Sequence, residues 1–311
     1  IKEISFSQIP KAEIVIGGPP CQGFSGIGKR DPRDPRSSLV WNYLDMLKSV
    51  EPKIFLFENV TGLKSAKASD GSKVIDNLVK AFGQIGYSTD IFLLNSADYG
   101  VPQRRKRIFI IGNKLGAKID LPKETHSKEG GKGLKKWVSS FEALSDLGQP
   151  TGDGIANYTK EPDCEFQEIM RAHNKNNFTD LHLTPYASKK DQEIIECVKP
   201  GGNYLDVPDS IATQRILYFK KTGGRTTTYG RLDPNMPSHT LNTYFDRPNI
   251  GCNIHYKYNR MITIREGMRL QSFPDNFKII SSNKRNYYVQ VGNAVPPLLS
   301  YAVAKHMLNY F

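Results

Sequence analysis

Four short apolar runs mark the first third of the chain, at 13–17, 54–58, 90–95 and 107–112. Each is rich in Ile, Val, Leu or Phe and bounded by polar residues or glycine, the pattern of a buried strand. Segments 39–50 and 73–85 read as helices between them. This alternation predicts a wound, mainly parallel α/β sheet, a fold that places ligands at the carboxyl ends of its strands.

After Gly112 the texture changes. Gly130-Gly131-Lys132-Gly133, Gly148-Gln149-Pro150 and Gly201-Gly202-Asn203 break up polar sequence rich in Asn and Lys, as expected of a separate, loop-rich module. Its second half is β-prone at 226–232 and 239–244, predicting short strands. Residues 263–271 read as a helix capped by Thr263, and the chain from Ala294 reads as a closing helix against the first domain. The expected organisation is a catalytic α/β domain over 1–125, a second module over 126–260 and a hinge helix with C-terminal return over 261–311.

The 311 residues allow one large and one smaller domain, and the formal charge of +12 suits a polyanionic partner with salt-dependent affinity. Cys21, Cys164, Cys197 and Cys252 lie far apart without a CxxC pair, which disfavours disulfide frameworks and zinc knuckles and fits a reducing cytosol. The histidines lack metal-ligand spacing, no apolar stretch reaches membrane length, and residues from Ile1 onward do not form a signal peptide.

Candidate chemistry begins at Gly17-Gly18-Pro19-Pro20-Cys21-Gln22, which sets a cysteine on a stiff, side-chain-poor loop after a strand. Glycines let a ligand approach the backbone and prolines limit motion, so a thiolate here suits attack on a carbon electrophile; a small cysteine in a tight turn is the plain alternative. Glu58 follows the second strand where it leaves the core, and burial there would raise its pKa toward that of a proton donor unless a cation lies beside it. Gln103-Arg104-Arg105-Lys106-Arg107 leads into the last of the four strands. In an extended chain Gln103, Arg105 and Arg107 share a face carrying an amide and two guanidinium forks.

Taken in order, Pro19-Pro20-Cys21-Gln22, Glu58-Asn59-Val60, the Gln-x-Arg-x-Arg set at 103–107, Arg269-Leu270-Gln271-Ser272-Phe273-Pro274 and Gly292-Asn293-Ala294-Val295-Pro296 resemble the DNA (cytosine-5) methyltransferase family of bacterial restriction-modification type. The resemblance implies a Rossmann-like S-adenosylmethionine-dependent methyltransferase sheet with a smaller target-recognition domain. It also implies transfer of a methyl group to C5 of a flipped-out cytosine in double-stranded DNA, leaving S-adenosylhomocysteine. Cys21 would add to C6, Glu58 would serve N3, and Arg107 with Arg105 would hold O2 and orient Glu58. Ile1, Pro20, Leu39, Asn293, Ala294 and Val295 would line the cofactor side. Gln22, Ser25, Lys29 and Arg36 would grip the strand around the flipped nucleotide, with Gln103, Arg225, Arg231 and Thr240 as further DNA contacts. Arg225, Arg231 and Arg247 are equally open to being surface charges. No metal is implied, and the expected setting is the bacterial cytoplasm, on the nucleoid.

The family resemblance also includes an N-terminal strand and a Phe-x-Gly-x-Gly cofactor loop ahead of the cysteine, and this chain shows neither there. Phe24-Ser25-Gly26-Ile27-Gly28 fits that pattern in letters but follows the cysteine and runs into a proline-broken basic stretch, which suits an active-site loop closing over DNA. The expectation is a chain truncated at its N-terminus and monomeric when whole, or one polypeptide of a split enzyme with an N-terminal partner. A DNA-binding subunit dependent on another chain and a tRNA cytosine-5 methyltransferase are the alternative functions.

Overall fold

Phe55 and Phe57 alternate with Ile54 and Leu56 along a strand whose two faces are both buried, the signature of a central position in a covered sheet. The computed structural model describes residues 5–20, 38–68 and 70–311. In it, β1 (Ile14–Gly17), β2 (Ile54–Val60), β3 (Ser88–Asn95) and β5 (Lys106–Asn113) form a four-stranded sheet of order β1-β2-β5-β3, while β4 (Gln103–Arg104) lies outside it. The helices α1 (Ser38–Val50) and α2 (Val74–Gln84) intervene as the periodicity predicts.

The sheet departs from the mainly parallel expectation. β1 and β2 pair in parallel, but β5 inserts between β2 and β3 and runs antiparallel to both. The chain reverses between Asn95 and Lys106, which are themselves register partners, so β5 returns along β3 instead of crossing over through a helix. The entry of β5 therefore lies at the same sheet edge as the exit of β2.

Both helices pack on one of the two buried faces of β2. Tyr43 and Leu47 of α1 and Leu78 and Phe82 of α2 pack on Phe55, Phe57, Ile108 and Ile110. The Phe55 and Phe82 ring centroids lie 4.5 Å apart, and each such ring withdrawn from water contributes about 2–3 kcal/mol. Past its end, α2 is closed off by Gly86 at φ 88°, which lets Tyr87 N–H donate back to Phe82 O at 3.1 Å.

The chain divides into two compact units. One holds the described residues up to Asn95 with Lys106–Pro122 and Tyr310–Phe311; the other holds Ser96–Arg105 and Lys123–Asn309. The second unit takes more of the chain than the sequence assigned to a smaller module, because the helices Ile264–Leu270, Lys284–Asn293 and Pro297–Met307 cluster with it. Thr263 caps the first of these as expected: its hydroxyl accepts from Glu266 N–H, and Glu266 Oε2 accepts from Thr263 N–H at 2.8 Å. The β-prone stretches give only the two-residue strands Gly230–Arg231 and Ser238–His239. Pro234 and Pro237 between them supply no N–H to a ladder.

Candidate active site

β1 delivers its chain to the site as bare backbone. A Cβ on Gly17 would come within 2.4 Å of Tyr43 Cε2, and one on Gly18 within 3.1 Å of Glu58 Oε2. Tyr43 earns its place by donating its hydroxyl to Leu56 O at 3.0 Å, which ties α1 to the β2 backbone beneath this loop. Asn59, nearly fully buried, donates from Nδ2 to Pro19 O at 3.0 Å while its Oδ1 accepts from Val60 N–H at 2.8 Å. The segment Gly18-Pro19-Pro20 is thus held against Glu58-Asn59 at the carboxyl ends of two parallel strands. Cys21, the proposed nucleophile, is the next residue and lies outside the described residues, as do Ile1, Gln22, Ser25, Lys29 and Arg36. The positions of Tyr43 and Asn59 carry no chemical signal in the sequence beyond their neighbours; only the fold reveals their work.

Arg107 completes this edge. Val60 pairs with Arg107 and Glu58 with Phe109 in the β2–β5 register, so Glu58 and Arg107 are diagonal neighbours on one face. Arg107 Nε lies 3.1 Å from Glu58 Oε1, with each side chain 14% exposed. Nη1 donates to Lys106 O at 2.9 Å. Burial draws the Arg107 guanidinium below its ordinary value, and Glu58 pulls the other way. The result is a carboxylate and a fork, partly screened from water, beside a side-chain-free backbone.

Gln103 and Arg105 do not join Arg107 on a common face. Gln103 N–H donates to Val101 O at 2.7 Å and Arg105 N–H to Gln103 O at 3.0 Å, tight turns that end the extended run. Gln103 is fully buried in the second unit, where Nε2 donates to Leu270 O and Oε1 accepts from Leu241 N–H, each at 3.2 Å. This corrects its reading as a DNA contact. Arg105, 1% exposed, donates to Leu241 O at 3.1 Å and Gly292 O at 2.9 Å, which corrects its reading as a catalytic group.

Arg231 is corrected too. It is buried, and its guanidinium donates to the carbonyls of Ile195, Val198, His255 and Tyr258, closing the end of the helix Lys189–Cys197. Burial lowers its pKa from the ordinary value. Arg225 is exposed. Thr240 is exposed as well, with its hydroxyl donating to Arg104 O at 2.9 Å. Among the cofactor-side candidates, Pro20 and Asn293 are exposed, and Leu39, Ala294 and Val295 are half-buried. Each of these positions carries an uncharged side chain that keeps some contact with solvent. Among the described residues no group of three or more His, Cys, Asp or Glu side chains is placed to hold a metal ion, and no helix is long and apolar enough to cross a membrane.

Residues 1–309 match the family described as C-5 cytosine-specific DNA methylase. The chain is 34% identical to the type II methyltransferase M.DdeI of Desulfomicrobium norvegicum, across 96% of this chain and 72% of that protein. It is 33% identical to the type II methyltransferase M1.HphI of Haemophilus parahaemolyticus, across 96% and 69%. Among solved structures, one described as a DNA modification methyltransferase encoded within an E. coli prophage superposes with a TM-score of 0.68 at 27% identity, covering 96% of this chain and 79% of that one. The mixed α/β sheet is accordingly that of the S-adenosylmethionine-dependent methyltransferase fold. The chain belongs to the C-5 cytosine-specific DNA methylase family, in its bacterial restriction-modification branch, and is a DNA (cytosine-5) methyltransferase.

Proposed function

We infer that this enzyme methylates C5 of a cytosine swung out of double-stranded DNA, through a covalent bond between Cys21 and C6. The observation that carries the reading is the Glu58–Arg107 pair, set beside the bare Gly18 backbone that leads to Cys21. C5 of cytosine is a poor nucleophile inside an aromatic ring. Addition of the Cys21 thiolate to C6 breaks the C5–C6 double bond, and its electron pair becomes available at C5 for the new carbon–carbon bond. Glu58 steadies N3 with a proton or strong hydrogen bond as charge reaches that side of the ring. Arg107 keeps Glu58 in line and turns its remaining N–H donors to O2. Loss of the C5 proton to a base then restores the double bond and expels the Cys21 thiolate.

S-adenosylmethionine, when bound, supplies the methyl group as an electrophile on a sulfonium centre. Pro20, Leu39, Asn293, Ala294 and Val295 are the described residues we assign to holding it, and the uncharged, accessible character of these positions supports that assignment. The module over 126–260 would read the DNA sequence, with Arg225 and Thr240 on its surface as phosphate or base contacts. The enzyme would work as a monomer in the bacterial cytoplasm.

The test is covalent trapping. A duplex with 5-fluorocytosine at the target position has no C5 proton to lose, so the full-length enzyme with S-adenosylmethionine should form an adduct stable in denaturing gels. Cys21→Ser should form none. An adduct with the Ser variant would remove Cys21 from the mechanism.

A further inference from the structure

Several motif segments that suggest catalysis in the sequence are sewn to one another inside the second unit, by side chains that reach main-chain groups. Arg105 spans Leu241 O and Gly292 O, Gln103 spans Leu270 O and Leu241 N–H, and Gln271 Nε2 donates to Val291 O at 2.6 Å. Burying a guanidinium is costly, and two carbonyls could be satisfied by a neutral amide. What an arginine adds is a rigid planar fork that sets the spacing and angle of the two acceptors it holds.

The two acceptors belong to segments that touch through their backbones. A Cβ on Gly292 would come within 2.6 Å of Asn242 O and 2.7 Å of Thr243 N, so only glycine permits this approach. Leu241 directly follows the exposed Thr240, and Gly292 directly precedes the exposed Asn293. One segment thus offers a side chain to the DNA and the other to the cofactor, on the assignment given above.

We propose that Arg105 is a positioning residue that fixes the Thr240–Asn242 segment against the Gly292–Val295 turn, so that the DNA-side and cofactor-side surfaces of this unit are built to one spacing. The inference rests on the functional reading above. It assigns Arg105 no contact with the base: its effect passes through Leu241 and Gly292, and misplacing those segments by a fraction of an ångström weakens both ligands together.

The experiment compares the full-length enzyme with Arg105→Gln and Arg105→Lys. Calorimetry measures affinity for S-adenosylhomocysteine, and fluorescence anisotropy measures affinity for an unmethylated duplex carrying the site mapped by bisulfite sequencing. Hydrogen exchange follows residues 240–243 and 292–295. Arg105→Gln should weaken both affinities about tenfold or more and speed exchange at both segments, while keeping a cooperative melt. Arg105→Lys, which reaches one carbonyl at a time, should recover part of each loss, and it carries the test alone if Arg105→Gln does not fold. Loss of one affinity alone, faster exchange at one segment alone, or intact affinities in a folded variant would overturn the proposal. A wild-type enzyme that binds neither ligand would instead defeat the functional reading beneath it.

Discussion

Arg107 Nε sits 3.1 Å from Glu58 Oε1, on strands that run against one another, and the pair is neither sealed nor fully solvated. An ion pair in that position works differently from one on the surface. Removing one partner takes the opposite charge away from a partly desolvated group, and under the proposed function a base entering the edge would share the donors. Glu58→Gln keeps the shape and loses the charge. It should slow methyl transfer by about 10²–10⁴-fold with DNA affinity within about twofold of wild type, measured by tritiated methyl incorporation and anisotropy. Equal loss in both would make Glu58 a structural residue. Arg107→Met should lower stability by about 1–3 kcal/mol as well as activity, since it removes the cation beside a mostly buried carboxylate.

Gly17 and Gly18 separate stability from activity by one position. A Cβ at Gly17 would enter the Tyr43 ring, whose hydroxyl is tied to Leu56 O, so Gly17→Ala must push α1 off the sheet. A cost of about 1–3 kcal/mol is expected, as for an overpacked core. At Gly18 the new methyl group would meet, among the described residues, the Glu58 carboxylate at 3.1 Å and the Glu58 main-chain oxygen at 3.8 Å. Gly18→Ala should melt near the wild-type temperature and lose about tenfold in methylation rate, because the displaced group is the carboxylate to which the proposed function gives the N3 contact. Urea midpoints and initial rates for the two variants test this; matching phenotypes would mean that the loop responds as one rigid piece.

Arg231 and Arg225 looked interchangeable as DNA contacts, and they should behave as opposites. Arg231 holds the carbonyls of Ile195, Val198, His255 and Tyr258; Ile195 O and Tyr258 O also accept main-chain N–H groups, so Arg231→Ala takes the donor chiefly from Val198 O and His255 O and should destabilise the fold by about 2–5 kcal/mol. Its folded fraction should bind DNA with the wild-type salt dependence. Arg225 is exposed, and Arg225→Ala should leave the unfolding midpoint unchanged while reducing the slope of log affinity against log salt by about one. A salt slope reduced by Arg231→Ala but untouched by Arg225→Ala would reverse the assignment.

What was legible in the sequence follows from local physics, and what was not depended on chain direction and partners. The Phe55 and Phe57 strand, α1, α2 and the Thr263 cap each rest on periodicity or a nearby side chain. Direction is different. An apolar run such as Ile108–Ile111 reads alike either way along the sheet, so a mainly parallel sheet and an Arg107 at the Glu58 edge were both expected, although only an antiparallel β5 reconciles the edge with the strand. Alternation placed Gln103 and Arg105 beside Arg107 because it assumes an unbroken extended chain, and the turns at Val101–Gln103 and Gln103–Arg105 break it. Arg231 was misread for another reason. Charge says surface until a cluster of carbonyls makes an interior site for it.

Acid should unfold the second unit in two stages, for reasons centred on Glu266. Its carboxylate is buried, which alone would raise its pKa, but Nη1 and Nη2 of Arg260 lie 2.8 and 2.7 Å from its oxygens and hold it far below the usual carboxylate range. His255 Nε2 lies 3.6 Å from Glu266 Oε1, and its Nδ1 accepts from Lys257 N–H at 3.0 Å and Tyr258 N–H at 3.3 Å, a role for neutral imidazole. Burial brings His255 down to about 4, and burial lowers His182 as well. An unfolded histidine titrates near 6.5. Between about pH 6.5 and 4 the unfolded chain therefore takes up a proton at His255 that the folded chain refuses, and stability falls as the pH falls, by about 3 kcal/mol for this group. The Glu266 contribution has the same sign over a lower window: it is fully present above about pH 4.5 and is lost progressively below that value as the unfolded carboxylate protonates. His255→Asn keeps an acceptor for Lys257 N–H and removes the titration. Urea midpoints measured from pH 7 to pH 3 should then fall less steeply than the wild-type values between about pH 6.5 and 4, with His182 keeping part of the slope there, and fall alongside them in the carboxylate window. An unchanged slope above pH 4.5 in the variant would place the acid sensitivity elsewhere.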